Sequence, residues 1–131
     1  MIDKVVLIVN NYFTYRDYNR YGIEILENKF ITEVWDLSLI LSKDSIIALK
    51  KPSNNTFDTK IYRFNNLSSY SDLIIQETNN PLFISTINYS YDTIKIFRDI
   101  SLNGFSYACT GPYSCNTFPF KYENIKRRYS L

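Results

Sequence analysis

Apolar runs and amphipathic stretches alternate along this chain. Lys4 to Val9, KVVLIV, is an unbroken and largely β-branched run, the mark of a strand buried on both faces of a parallel sheet. After a turn, Thr14 with Asp17 three positions on reads as a helix N-terminus, and Tyr18, Tyr21, Ile25 and Leu26 recur near helical spacing as far as Lys29. Phe30 to Leu37, FITEVWDL, returns to strand chemistry around Ile31, Val34 and Trp35. Ser42 and Asp44 cap a shorter helical piece, SIIALKK, that Pro52 stops. KIYRF from Lys60 to Phe64 is a third strand, and SSYSDLIIQET from Ser68 to Thr78 a helix closed by Asn79-Asn80-Pro81. LFISTI, Leu82 to Ile87, makes a fourth strand. In Tyr91 to Leu102, Ile94, Phe97 and Ile100 fall at helical spacing, and Asn103-Gly104 ends that helix. FSYACT, Phe105 to Thr110, is the fifth strand.

Five alternations of strand and helix predict an α/β protein, a three-layer Rossmann-like or flavodoxin-like open parallel sheet of about five strands with helices on both faces. The length of 131 residues fits one such domain over residues 1–120, with 121–131 as a basic tail or the start of an interdomain linker.

That architecture selects positions without any motif, because open parallel sheets bind ligands beyond the carboxyl ends of their strands, where the strand order reverses. The rule names Asn10, Asn11, Tyr12, Thr14, Arg16 and Asp17 after the first strand, Asp36 after the second, Asn88 and Tyr89 after the fourth, and Thr110 and Gly111 after the fifth. The first turn holds no glycine before Gly22, so neither a dinucleotide fingerprint nor a P-loop is present. It offers side-chain amides at Asn10 and Asn11 and the guanidinium of Arg16 beside a helix N-terminus, which suits a polar, anionic or hydroxylated ligand better than a tightly cradled diphosphate. Asp36 occupies the place of the ribose-binding acid of dinucleotide folds, but without the glycines a helix-cap or surface role is expected. Arg16 pairs with Asp17 or is solvated on the plain reading, and the two asparagines are ordinary turn residues.

The chain has no histidine, which removes Ser-His-Asp and Cys-His catalysis and the usual base near neutral pH. Asp17, Glu24, Asp36 and Asp92 stand as acid–base candidates by position only, and no pair has a diagnostic spacing. Cys109 and Cys115 lack partners for a zinc shell, so no metal is expected, and the pair is read as two free thiols with a disulfide between them as the alternative. Fifteen basic against thirteen acidic residues, net +2, imply no nucleic-acid footprint. The 12 Tyr and 9 Phe accompany abundant Asn, Ile and Lys, the bias an AT-rich genome imposes on any fold, so they do not by themselves mark an aromatic ligand surface. Lys121, Lys126, Arg127 and Arg128 are read first as a solvated end or linker; attraction to an anionic membrane surface, about 1 kcal/mol per charge, is the alternative. With no apolar run of about eighteen residues and no secretory leader pattern, a cytoplasmic protein is expected, placed at the inner face of the membrane only on the alternative reading of that tail.

The segment RDYNRYGIEIL, with Arg16, Asp17, Tyr18, Arg20, Tyr21, Gly22, Ile23 and Leu26, followed by VWDL at Val34, Trp35, Asp36 and Leu37, resembles the N-terminal region of bacterial surface-carbohydrate biosynthesis proteins of capsule and O-antigen loci. The specific match covers about a sixth of the chain. Those proteins are similar in layout to two-domain glycosyltransferases of the GT-B kind, in which an N-terminal Rossmann-like half faces the acceptor and a C-terminal half holds most of the nucleotide-sugar donor. The resemblance implies an acceptor-side domain for a glycan or lipid-linked acceptor, not catalytically complete alone and with no cofactor of its own, the donor being held only with a second domain. The alternatives are a stand-alone flavodoxin-like small-ligand module or a protein-interaction module. A phospho-receiver is disfavoured because the first strand ends in Asn10-Asn11 rather than in acids.

Overall fold

The computed structural model describes residues 1–42 and 57–110. Along the chain it contains β1 (Lys4–Val9), α1 (Tyr15–Arg20), α2 (Ile23–Glu27), β2 (Ile31–Asp36), α3 (Ser38–Leu41), β3 (Lys60–Arg63), α4 (Leu67–Gln76), β4 (Pro81–Ser85), α5 (Ile94–Leu102) and β5 (Ser106–Cys109). The expected SIIALKK helix, Gly111, Cys115 and the basic tail lie outside the described residues.

All five strands are parallel, in the order β3-β2-β1-β4-β5. The chain steps outward from β1 to β3, crosses back to β4 and steps outward again to β5. Of the two expected layouts this is the Rossmann order; a flavodoxin would place its third strand beside the first. The central β1 is buried at every residue because it has strands on both sides and helices above and below. On one face Val6 and Ile8 pack with Trp35, Phe83, Tyr70 and Ile74 of α4, and Ile96, Phe97 and Ile100 of α5. On the other, Leu7, Val9 and Val34 pack with Phe13, Ile23 and the partly buried Tyr18, Tyr21 and Leu26 around α1 and α2. These are the two helical layers that the alternation predicted.

The expected first helix is broken. Gly22, at φ +62°, adopts the left-handed conformation that glycine tolerates, and the chain restarts as α2 in a new rotational phase. Ile23 is therefore fully buried and Ile25, expected on the inner face, is 71% exposed. The last helix starts at Ile94 rather than Tyr91, because the Thr93 hydroxyl accepts from Ser90 N–H and donates to the Asn88 carbonyl, holding a turn there. Ile96 then takes the inner position expected of Ile94. The stop at Asn103-Gly104 is as expected: Gly104 N–H donates to Ser101 O and Phe105 N–H to Ile100 O, with Gly104 at φ +77°.

At the amino edge of the sheet three charged side chains meet out of water. Lys4 Nζ lies 2.6 Å from Glu77 Oε2 and 3.1 Å from Glu33 Oε2, with side-chain exposures of 7%, 7% and 10%. Glu33 also accepts from Trp35 Nε1 at 3.2 Å, and Glu77 from Asn79 N–H at 3.1 Å. Glu77 takes an extended conformation that ends α4 before Thr78, so the helix is shorter than its apolar pattern. The cluster ties β1, β2 and the lead-in to β4 together across the centre of the sheet.

Two buried groups make the fold sensitive to alkali. Burial alone would lower the Lys4 pKa, but hydrogen bonds to Glu77 and Glu33 outweigh it and hold the ammonium above the ordinary lysine value. Burial pushes the Tyr70 phenol far up, and the Asp99 carboxylate adds to the effect; its hydroxyl donates to Ile96 O at 2.9 Å. Both folded-state values lie above the unfolded ones, so their contribution is complete below about pH 10 and is lost as the pH rises through the folded values. Urea unfolding followed by circular dichroism is expected to show stability falling above about pH 10 by up to about 1.4 kcal/mol per pH unit for each group. Tyr70→Phe is expected to make that decline shallower, and an unchanged slope would contradict the assignment.

Candidate ligand site at the carboxyl edge

The site begins where β1 runs out. Asn10 is half-buried and Asn11 exposed, and the turn after them is held from below by Asp36, the last residue of β2. Asp36 is fully buried; its Oδ2 accepts from Phe13 N–H at 3.0 Å and its Oδ1 from Ser38 N–H at 2.9 Å. Arg63, at the end of β3, places Nε 3.4 Å from the same carboxylate and donates from Nη2 to Phe13 O at 3.2 Å. Its guanidinium rests on the Tyr12 ring, 4.3 Å from the centroid. Phe13 is buried beneath the loop, edge-on to Phe57 at 5.7 Å. Charge, main chain and apolar anchor thus fix the β1–α1 turn without a glycine.

Asp36 is therefore not a surface residue. It stands one residue before Leu37, the N-cap of α3, accepts from the N–H of the helix's first residue Ser38, and also locks the loop in front of it. Both of its oxygens are directed inward, so it acts as a positioning residue. Next to it, Ser38 Oγ is buried and makes no hydrogen bond. Asp17 does not pair with Arg16: its Oδ2 accepts from the Thr14 N–H and hydroxyl, both at 3.0 Å, closing the start of α1. Arg16 is exposed on the first turn of α1 and forms no ion pair among the described residues.

The strand order decides which other positions can share this edge. Reversal falls between β1 and β4, where Ile8 is in register with Ser85, so the residues after Val9 face those after Ser85. Thr86 N–H donates to Ile8 O at 3.0 Å and Ser85 Oγ accepts from Ile87 N–H, closing the floor between the strands. Asn88 and Tyr89 follow, both exposed, with Tyr89 packed on Phe97 at a ring distance of 5.3 Å. Asn10, Asn11 and Asn88 thus flank the reversal. Thr110 lies one strand further out, its N–H donating to Ser85 O at 2.7 Å.

Sequence reasoning missed Arg63. The same strand-end rule, applied to the third strand, would have selected it. Among the acid–base candidates, Asp17 and Asp36 are engaged in the fold, and Glu24 and Asp92 are exposed on separate elements. Desolvation pushes the Cys109 thiol pKa up, which favours the protonated thiol over a nucleophilic thiolate at neutral pH. No helix of the described residues is long and apolar enough to cross a membrane, and no three of their His, Cys, Asp or Glu side chains converge on a common metal position. Compared with protein-family models, with curated proteins and with solved structures, the chain matches none.

Proposed function

We propose that the carboxyl edge of this sheet binds a hydroxylated or anionic polar ligand, a glycan or lipid-linked acceptor, and that the chain is the acceptor-side half of a glycosyltransferase-like protein of bacterial surface-polysaccharide biosynthesis. The observation that carries the reading is the reversal of strand order between β1 and β4, flanked by a glycine-free, asparagine-rich turn. Amide side chains supply paired donors and acceptors for hydroxyl groups, and the exposed Arg16 supplies charge for an anionic one. The turn that presents them is held rigid by Asp36 and Arg63, which lowers the ordering cost of binding. The resemblance of the RDYNRYGIEIL and VWDL segments supplies the class of reaction. Sugar transfer would need a nucleotide-sugar donor held opposite by a second domain.

Asn11→Ala combined with Arg16→Ala removes two exposed groups and none of the hydrogen bonds described above. In cells that depend on this gene, surface glycan is expected to fall about tenfold, the loss of two ligand hydrogen bonds at about 0.5–1.5 kcal/mol each. The unfolding midpoint of the purified variant should stay within about 0.5 kcal/mol of the parent. Normal glycan with both residues replaced would count strongly against the reading.

A further inference from the structure

The two outer strands of the sheet are built differently. β3, KIYR, begins with the exposed Lys60, the kind of side chain that keeps a foreign strand off an open edge, and ends in Arg63, which is held by Asp36. β5, SYAC, has no charge, no proline and no bulge against β4, and all four of its residues are exposed. Among the described residues nothing pairs with its outer side. Thr110 N–H donates to Ser85 O, so by the two-residue alternation Ser106 and Ala108 turn their main chain toward β4, while Tyr107 and Cys109 turn theirs outward. On the face that bears Ser106 and Ala108, the neighbouring Leu82 and Ile84 are only half-buried, whereas the same face of β1 and β2 lies under α1 and α2.

We propose that β5 is a self-pairing edge, at which two copies of this chain join antiparallel about a two-fold axis into one continuous sheet. Two-fold pairing sets each strand against its own sequence, so it favours an edge that tolerates itself. At β5 the outward-facing residues dictate the register: Tyr107 exchanges bonds with Cys109 of the other copy, and Ala108 faces Ala108 in a non-hydrogen-bonded pair. There the Cα atoms approach to about 4.5 Å, and the methyl group fits. At β3 Lys60 and Arg63 lie on opposite faces of the strand, so that edge carries a charged side chain on each face, whereas β5 carries none. The inference is independent of what the carboxyl edge binds.

Sedimentation of the 131-residue chain from low to high micromolar concentration is expected to show a monomer–dimer equilibrium. Ala108→Lys, at an exposed position, sets two ammonium groups against each other and is expected to weaken the dimer at least about tenfold with an unchanged circular dichroism spectrum. In a second variant, Ala108→Cys with Cys109→Ser and Cys115→Ser, oxidation is expected to give a dimer that dithiothreitol dissolves, since cross-strand Cα atoms at that spacing admit a disulfide. A chain that remains monomeric throughout, or a dimer that survives Ala108→Lys and does not cross-link through position 108, overturns the proposal.

Discussion

Lys4→Met is expected to destabilise the domain by about 3–5 kcal/mol, the cost of removing one partner from a buried ion pair. Lys4 is the cation shared by Glu33 and Glu77, all three nearly excluded from water. Without it, two carboxylates are left together in the interior, with only the exposed Lys60, 3.9 Å from Glu33, in partial compensation. The loss is a large part of the total for an ordinary domain, about 5–15 kcal/mol. Urea unfolding of Lys4→Met beside the triple variant Lys4→Met, Glu33→Gln, Glu77→Gln separates charge from packing. The two amides still accept from Trp35 Nε1 and Asn79 N–H, so the triple variant is expected to regain most of the lost stability. If both lose the same amount, the cluster matters for shape and not for its charge.

Asp36→Ala is expected to cost about 3–5 kcal/mol, because it strands two buried N–H donors at about 1–3 kcal/mol each and leaves Arg63 without its anion. Asp36→Asn, which keeps an acceptor for one of them, should fall between that variant and the parent. The effect has a local signature. Hydrogen exchange at the Phe13 and Ser38 amides should quicken in Asp36→Asn even under conditions where the strands stay protected. A change below about 1 kcal/mol with unaltered exchange would mean that Arg63 and the buried Phe13 ring alone suffice to hold the loop. Because that loop carries Asn10 and Asn11, the measurement also tests whether the proposed binding surface depends on a residue that does not touch the ligand.

Much of the local structure was readable from side-chain chemistry. KVVLIV announces a doubly covered strand because no polar residue interrupts it after Lys4, and Asn103-Gly104 announces a helix end because glycine alone takes the left-handed turn at low cost. Thr14 and Asp17 sit three residues apart and their bond is local, so the start of α1 was visible too. Gly22 was equally present in the sequence, but its positive φ divides one apolar pattern into two phases, and periodicity averaged over both places Ile25 on the wrong face.

The residues that make the site and its support were not readable together, for a reason of distance along the chain. Asp36 reaches Phe13 across 23 positions, Arg63 reaches Phe13 across 50, and Lys4 reaches Glu77 across 73. None of these leaves a periodic trace, since an Arg ending a strand or a Lys starting one looks the same paired or solvated. By itself, the sequence determined the five strands and the parallel α/β class, because those follow from backbone preference and the period of burial over a few residues, while α3 left no sign in it. Only the tertiary structure decided that β4 lies beside β1, hence which loops face each other, that Asp36 points inward, and that three charges meet out of water at the amino edge of the sheet. Strand order is settled by packing between segments distant in sequence, and it is this order that turns separate strand ends into one edge.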